Sequence, residues 1–264
     1  MAGRYQETEP RPDLHPWVRR VWSYEDEAPD SSVQLIPPDG CPELVVHLGT
    51  PYEEEADGRF LLQPRVIFAG QMTRPIRLRP AGPIRCAAMR FEPDGAACWF
   101  GAALSGATDR RVDVSSRLLV DPAVSLEDCL SLVQQHVADT LENAGWPLDR
   151  AVRDEVRRLE AGRPASSRDP AERRRLQRLF LRHVGVSPQA LQSVFRFRKV
   201  FDRASEPDAG DWLAIALDAG YFDQPQMARD FRRFLGCTAT DWAREQVGIG
   251  RAIASQPSPH GVDA

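Results

Sequence analysis

Helix-starting and helix-ending residues follow one another between residues 169 and 236, and this succession constrains the fold more than any other feature of the sequence. In DPAERRRLQRLFLRHVG, Asp169 is placed to cap a helix, Pro170 takes its first position, Glu172 completes a capping box and Gly185 ends it. Ser187-Pro188 opens the next helix, SPQALQSVFRFRKVFDRA, with Leu191, Val194, Phe195 and Phe201 as a buried stripe. Asp211 can start DWLAIALDAG, which Gly220 ends, and Asp223 opens DQPQMARDFRRFLG with Pro225 in its first turn. The last two helices make a helix-turn-helix pattern. Gly220 relieves a left-handed turn, Ala216 is small enough for close crossing, and Met227, Phe231 and Phe234 point inward.

The first 120 residues have a different texture. Short apolar and β-branched stretches (VQLI, ELVVHLG, RVIFAG, IRCAAMRF) alternate with turn material (PPDG, EEEADG, RPAG, EPDG), which predicts strands of a small barrel or sandwich. The acidic EEEAD cluster is expected to be a solvated loop. From Asp121 the pattern turns helical: Ser125 caps SLEDCLSLVQQHVADTLE, and Asp149 caps a second helix through Leu159 that Gly162 ends. The predicted architecture is α+β. It comprises a β-barrel- or sandwich-like domain over 1–120, a helical connector over 121–162, an all-α domain over 163–247 and a flexible tail over 248–264.

Charge follows the same division. Residues 1–162 carry 18 basic and 26 acidic side chains, whereas residues 163–251 carry 16 basic and 11 acidic ones, so the excess of positive charge lies in the helical half. That half is the part suited to meet a polyanion. The N-terminus has no apolar signal segment, and no run approaches the ~18 apolar residues of a membrane span, so a cytoplasmic protein without membrane attachment is expected. The five cysteines are scattered without CxxC spacing and read as reduced thiols.

The outer face at the start of the last helix offers Gln224, Gln226, Ala228 and Arg229 to a major groove, where Gln suits an adenine edge and Arg a guanine or a phosphate. The helix from Arg173 to His183 carries five arginines around Gln177. LQRLFLRHVGVSP, RFRKV and IALDAGYFDQPQMARDFRRFLGCTATDW, with their spacing, resemble the DNA-binding domain of the AraC family of transcription regulators, in which a long helix joins two helix-turn-helix units. LIPPDGCPELVVHLG, FAGQMTRPIRL and MRFEPDGAACWFG resemble the N-terminal domain of one branch of such regulators. The resemblance places base reading on Arg174, Gln177 and Arg178 in the first unit, and on Gln224, Gln226, Ala228 and Arg229 in the second. Its scaffold positions fall on Phe180, Gly185, Pro188, Ala216, Gly220, Phe231, Phe234 and Gly236. The sequence departs from the pattern in two places. Only EAGRPASSR, most of it shared with the GRPASSRD linker, separates Leu159 from the Asp169 cap, too few residues for the helix and turn that brace a first recognition helix. Ala239 also stands where the family has proline.

Enzymatic motifs are missing. There is no GxSxG, P-loop or GxGxxG, and only two of the five histidines fall in the β-rich part. Cys41 in the PPDGC turn has no assignable basic partner and reads as a buried thiol. A non-enzymatic regulator of promoter DNA is therefore expected, without cofactor or metal, and with a small-molecule effector, RNA polymerase and a second copy of the chain as candidate partners. Trp17, Trp22, Cys41, Arg90 and Trp99 are the candidate effector pocket. The other reading is a degenerate regulator that binds a ligand or protein but does not read DNA.

Overall fold

The computed structural model describes residues 3–144, 147–163, 169–204 and 212–238. The Asp211 cap, most of the GRPASSRD linker, Ala239 and the 248–264 tail lie outside the described residues. Among those described, no helix is long and apolar enough to cross a membrane.

Two antiparallel sheets build the N-terminal half. Strands β1 (Arg4–Thr8), β2 (Val18–Asp26), β4 (Glu43–His47), β7 (Val66–Ala69), β9 (Ile84–Phe91) and β10 (Arg111–Asp113) form a six-stranded sheet in the order β1-β2-β9-β4-β7-β10. Strands β3 (Gln34–Ile36), β5 (Glu53–Ala56), β6 (Arg59–Leu62) and β8 (Ile76–Arg79) form a second sheet in the order β3-β8-β5-β6. The sheets do not close into one barrel, so the sandwich form of the expected domain is the one adopted.

Strand alternation gives the large sheet two unlike faces. Leu44 and Val46 of β4, Phe68 of β7, and Ala87, Met89 and Phe91 of β9 join the main apolar core. Helices α1 (Ala96–Phe100) and α2 (Leu126–Glu142) cover it, contributing Trp99, Cys129, Val133 and Val137. The alternate residues Val45, Ile67, Ile84, Cys86 and Ala88 form a separate cluster on the opposite face, with Trp22, Tyr24 and Tyr52 against it.

Glu53–Ala56 of the EEEAD stretch form a strand, not the solvated loop expected from their charge, and only Asp57 falls in a turn. Within β5, Glu53 accepts from Arg79 Nε at 2.8 Å, Glu55 pairs with Arg77 at 2.9 Å, and Glu54 pairs with Arg111 at 3.2 Å. Arginines on β8 and β10 neutralise the acidic run across strands, a partnership that composition alone does not reveal.

The helical half follows its caps. Asp149 accepts from Val152 N–H at the start of α3 (Arg150–Glu160), Asp169 from Ala171 and Glu172 N–H at α4 (Pro170–His183), and Asp223 from Gln226 N–H at α7 (Gln224–Leu235). Between α4 and α7 lie α5 (Pro188–Ala204) and α6 (Trp212–Asp218). Gly220 stands at φ +85°, the left-handed turn that separates α6 from α7. Helices α3, α4 and α5 share one apolar cluster around Phe180, Leu191 and Phe195, while α5, α6 and α7 share another around Phe197, Phe231 and Phe234. α5 is therefore the common wall of both.

The two halves are tied by polar contacts. Arg153 of α3 binds Asp94 at 2.7 Å and Pro16 O at 2.6 Å, Arg19 bridges Glu92 and Glu160, and Thr108 donates to Gly185 O at 2.7 Å. At Gly40, with φ +88°, an added Cβ would lie 2.7 Å from the Phe195 ring of α5. We expect Gly40→Ala to lower the melting temperature and loosen the contact between the halves, since it strains both the backbone and this approach. Hydrogen exchange over α5 checks this, and unchanged protection would contradict it.

Candidate functional site

Two regions bring polar and charged side chains together: the outer faces of α4 and α7, and the space between the sheets. On α4, Leu176, Leu179 and Phe180 turn inward, leaving Arg173, Arg174, Arg175, Gln177 and Arg178 exposed. Among the described residues no helix stands between α3 and α4, and α4 packs directly against α3 and α5 in the cluster that holds Val152, Val156, Leu159 and Phe180. On α7, Met227, Phe231, Phe234 and Leu235 are buried, and Gln224, Arg229, Arg232 and Arg233 are exposed. Phe197 of α5 meets Phe231 and Phe234 at ring-centroid distances of 5.3 and 5.1 Å, which fixes α7 on α5. Tyr221 donates to Asp230 at 3.0 Å, and burial raises the Asp230 carboxyl above its ordinary range.

Gln226 is placed differently from Gln224. Its Oε1 accepts from Phe222 N–H at 3.0 Å while its own N–H donates to Asp223 at 2.7 Å, so the half-buried side chain serves the helix start. Ala228 is also half-buried. Gln226→Ala should therefore cost stability, roughly 0.5–2 kcal/mol by analogy with lost caps, and weaken DNA binding similarly for all sequences. A loss confined to one base position would contradict that expectation.

Between the sheets lies a cavity of about 400 Å³, within the range of small-molecule sites. The large sheet contributes Tyr5, Trp22, Tyr24, Glu43, Val45, His47, Ile67, Cys86, Arg90 and Arg111, and the small sheet adds Gln34, Ile36, Ile76 and Leu78. Strand register arranges these in rows: Arg90 faces Glu43, Glu43 faces Ala69, and Ala69 faces Arg111. Arg90 Nε donates to Glu43 Oε1 at 2.8 Å and lies 3.4 Å from Asp39, and Trp22 Nε1 donates to the same Glu43 oxygen at 3.0 Å. Burial raises the Glu43 carboxyl, opposed by Arg90. Burial lowers His47 to about 4, which leaves that ring neutral.

Of the residues expected in a pocket, Trp22, Cys41 and Arg90 line it. Burial pushes the Cys41 thiol well up, against the pull of Arg19, which favours its protonated form. Trp17 and Trp99 do not line it. Trp99 is buried on the opposite side of the sheet, between Phe68, Phe91 and the Arg117 guanidinium at 4.3 Å, and Trp17 packs against that same core. Aromatic character alone cannot tell the two faces apart. The period-2 reading of ELVVH and IRCAAMRF could have found His47, Cys86 and Arg90 together. Arg111 and Arg198 could not be found that way, because Arg198 reaches the cavity from α5.

Residues 170–245 match the model of a helix-turn-helix domain, and residues 6–113 match a domain of unknown function (DUF6597). No curated protein matches the chain. Solved structures similar to it include ToxT from Vibrio cholerae O395, at 8% identity and TM-score 0.42, covering 93% of this chain and 99% of that one. Another is the unsaturated fatty acid-bound wild-type ToxT from Vibrio cholerae strain SCE256, at 8% identity and TM-score 0.41, covering 84% and 94%. The chain therefore carries an AraC-type helix-turn-helix domain at its C-terminus and a DUF6597 domain at its N-terminus.

Proposed function

We propose that this protein reads particular promoter sequences through α7, grips phosphates through α4, and is modulated by a small molecule held between its two sheets. The observation that carries the reading is the place of α5. One side of this helix seats α7 through Phe197 and Phe201, and Arg198 on the same helix lines the cavity. Gln224 and Arg229 are the exposed polar groups at the start of α7, where a second helix of such a unit meets base edges. The arginines of α4 supply salt-dependent affinity.

Selection of bound fragments from the host genome, followed by titration at increasing salt, tests the reading. A specific site with a steep salt slope supports it, and the absence of any salt-dependent complex refutes it. Arg229→Ala is expected to weaken the selected site by roughly 1–3 kcal/mol while leaving random DNA nearly unaffected. In a base-substitution scan of that site, Gln224→Ala should relax discrimination more than Gln177→Ala; the reverse order would place the main reader on α4. The second reading, a ligand- or protein-binding module that no longer recognises DNA, draws on the short connection between α3 and α4 and predicts no selected site at all.

A further inference from the structure

Phe222 stands in the turn between α6 and α7, one residue before the Asp223 cap, and is 88% exposed. An apolar residue at this position ordinarily folds back onto the fourth residue of the helix and closes the turn with an apolar contact. Here that fourth residue, Met227, is buried in the cluster around Phe197 and Phe231, while the Phe222 ring stays in solvent. The backbone that carries the ring is nevertheless held on both sides. Before it, Tyr221 is buried, with its N–H donating to Ala216 O at 3.0 Å and its hydroxyl to Asp230 at 3.0 Å. After it, the Asp223 carboxylate accepts from Gln226 N–H at 2.7 Å. A lone exposed apolar side chain needs no explanation, but the place of this one is telling. It precedes the exposed Gln224, Pro225 and Arg229, and Arg232 and Arg233 are exposed further along the same helix. Such a polar, positively charged helix suits a polyanion better than the apolar centre of a protein interface. The second helix of a helix-turn-helix unit meets the major groove by its N-terminal end, so the ring stands at the leading end of α7.

We infer that Phe222 reads sequence, its ring lying on the C5 methyl group of a thymine at the edge of the major-groove surface that α7 covers. This rests on the proposed reading of DNA by α7, and it adds to Gln224 and Arg229 a residue that recognises a base by apolar contact and not by hydrogen bonds. Among the four bases only thymine offers a methyl group in the major groove, and a phenyl ring is a suitable partner for it. The contact takes part of an exposed ring and a methyl group out of water together. Because the turn is already fixed by Tyr221 and Asp223, little backbone freedom is lost in making it.

The test uses the full chain and the selected site. In the half of the site where Gln224→Ala relaxes discrimination, each thymine is replaced singly by deoxyuridine, which removes the methyl group and leaves base pairing unchanged. One replacement should weaken binding about threefold to fivefold, the weight of one methyl group taken out of water. It should lie within about three base pairs of the base that Gln224 reads, since two residues span at most ~7 Å and base pairs are spaced ~3.4 Å apart. Phe222→Ala should bind the thymine and deoxyuridine sites equally, and Phe222→Leu should keep part of the preference. At the same position, 5-methylcytosine should bind more tightly than cytosine to the parent protein and equally to Phe222→Ala. With so exposed a side chain, Phe222→Ala should keep the parent's melting temperature, so a lost preference is not a lost fold. Three results would each overturn the inference: no deoxyuridine-sensitive position in that half, a sensitivity that persists in Phe222→Ala, or a loss in Phe222→Ala shared equally by random DNA. The last would make the ring a contact to the sugar–phosphate backbone. If no site is selected, the proposed function fails and this inference with it, whereas a site bound specifically but blind to the methyl group counts against Phe222 alone.

Discussion

Replacing Phe197 by alanine is expected to destabilise the C-terminal half by about 3–5 kcal/mol and to abolish specific DNA binding. Phe197 is fully buried at the centre of an aromatic group, with ring centroids 5.7 Å from Phe201, 5.3 Å from Phe231 and 5.1 Å from Phe234. Truncation removes the ring's burial and leaves a cavity that α5 and α7 cannot both collapse to fill. The exposed arginines and Gln224 stay on α7, but α7 loses its seat. Native-state hydrogen exchange checks this: protection should fall along α7 and hold along β4 and β9, whose core lies elsewhere around Phe68 and Met89. A cost below about 1 kcal/mol, the size of an ordinary surface change, would show that α7 is held by something other than this cluster.

The second large effect is expected at Arg90. Arg90→Met should cost about 3–5 kcal/mol at neutral pH, because Glu43 and Asp39 would remain buried beside a neutral side chain. The pH dependence has a definite sign. Glu43 already sits above its ordinary range through burial, and removing Arg90 removes the main influence that lowers it. A carboxyl raised in the folded state contributes stability below its unfolded pKa, and that contribution is lost as pH rises through the folded value. The stability gap between Arg90→Met and the parent should therefore narrow as pH falls and widen as it rises, in urea titrations across the weakly acidic to neutral range. Arg90→Met combined with Glu43→Gln should recover much of the loss, since the second change removes the stranded charge. A gap that stays constant with pH, or a double variant no better than the single one, would contradict this account of the buried cluster.

Much of the helical half is legible in the sequence because its signals are local. Asp149, Asp169 and Asp223 each accept from backbone N–H groups two or three residues ahead, and Gly220 needs only its own φ, so a short window of sequence contains both partners of the interaction. The short connection before α4 is legible for the same reason, since the residues between Leu159 and Asp169 can be counted directly. Strand texture likewise announces β4, β7 and β9. What tertiary structure alone decides is which distant groups share a space. Glu53–Ala56 become a strand whose charge is met by arginines from β8 and β10. Trp22 faces the cavity while Trp99 fills the opposite core, because one sheet separates them. Gln226 turns to the helix start, and Arg198 enters a cavity built almost wholly from the other half. Each of these depends on contacts between residues far apart in the chain, whose pairing is set by sheet register and by the docking of α5, and neither is written in any local pattern.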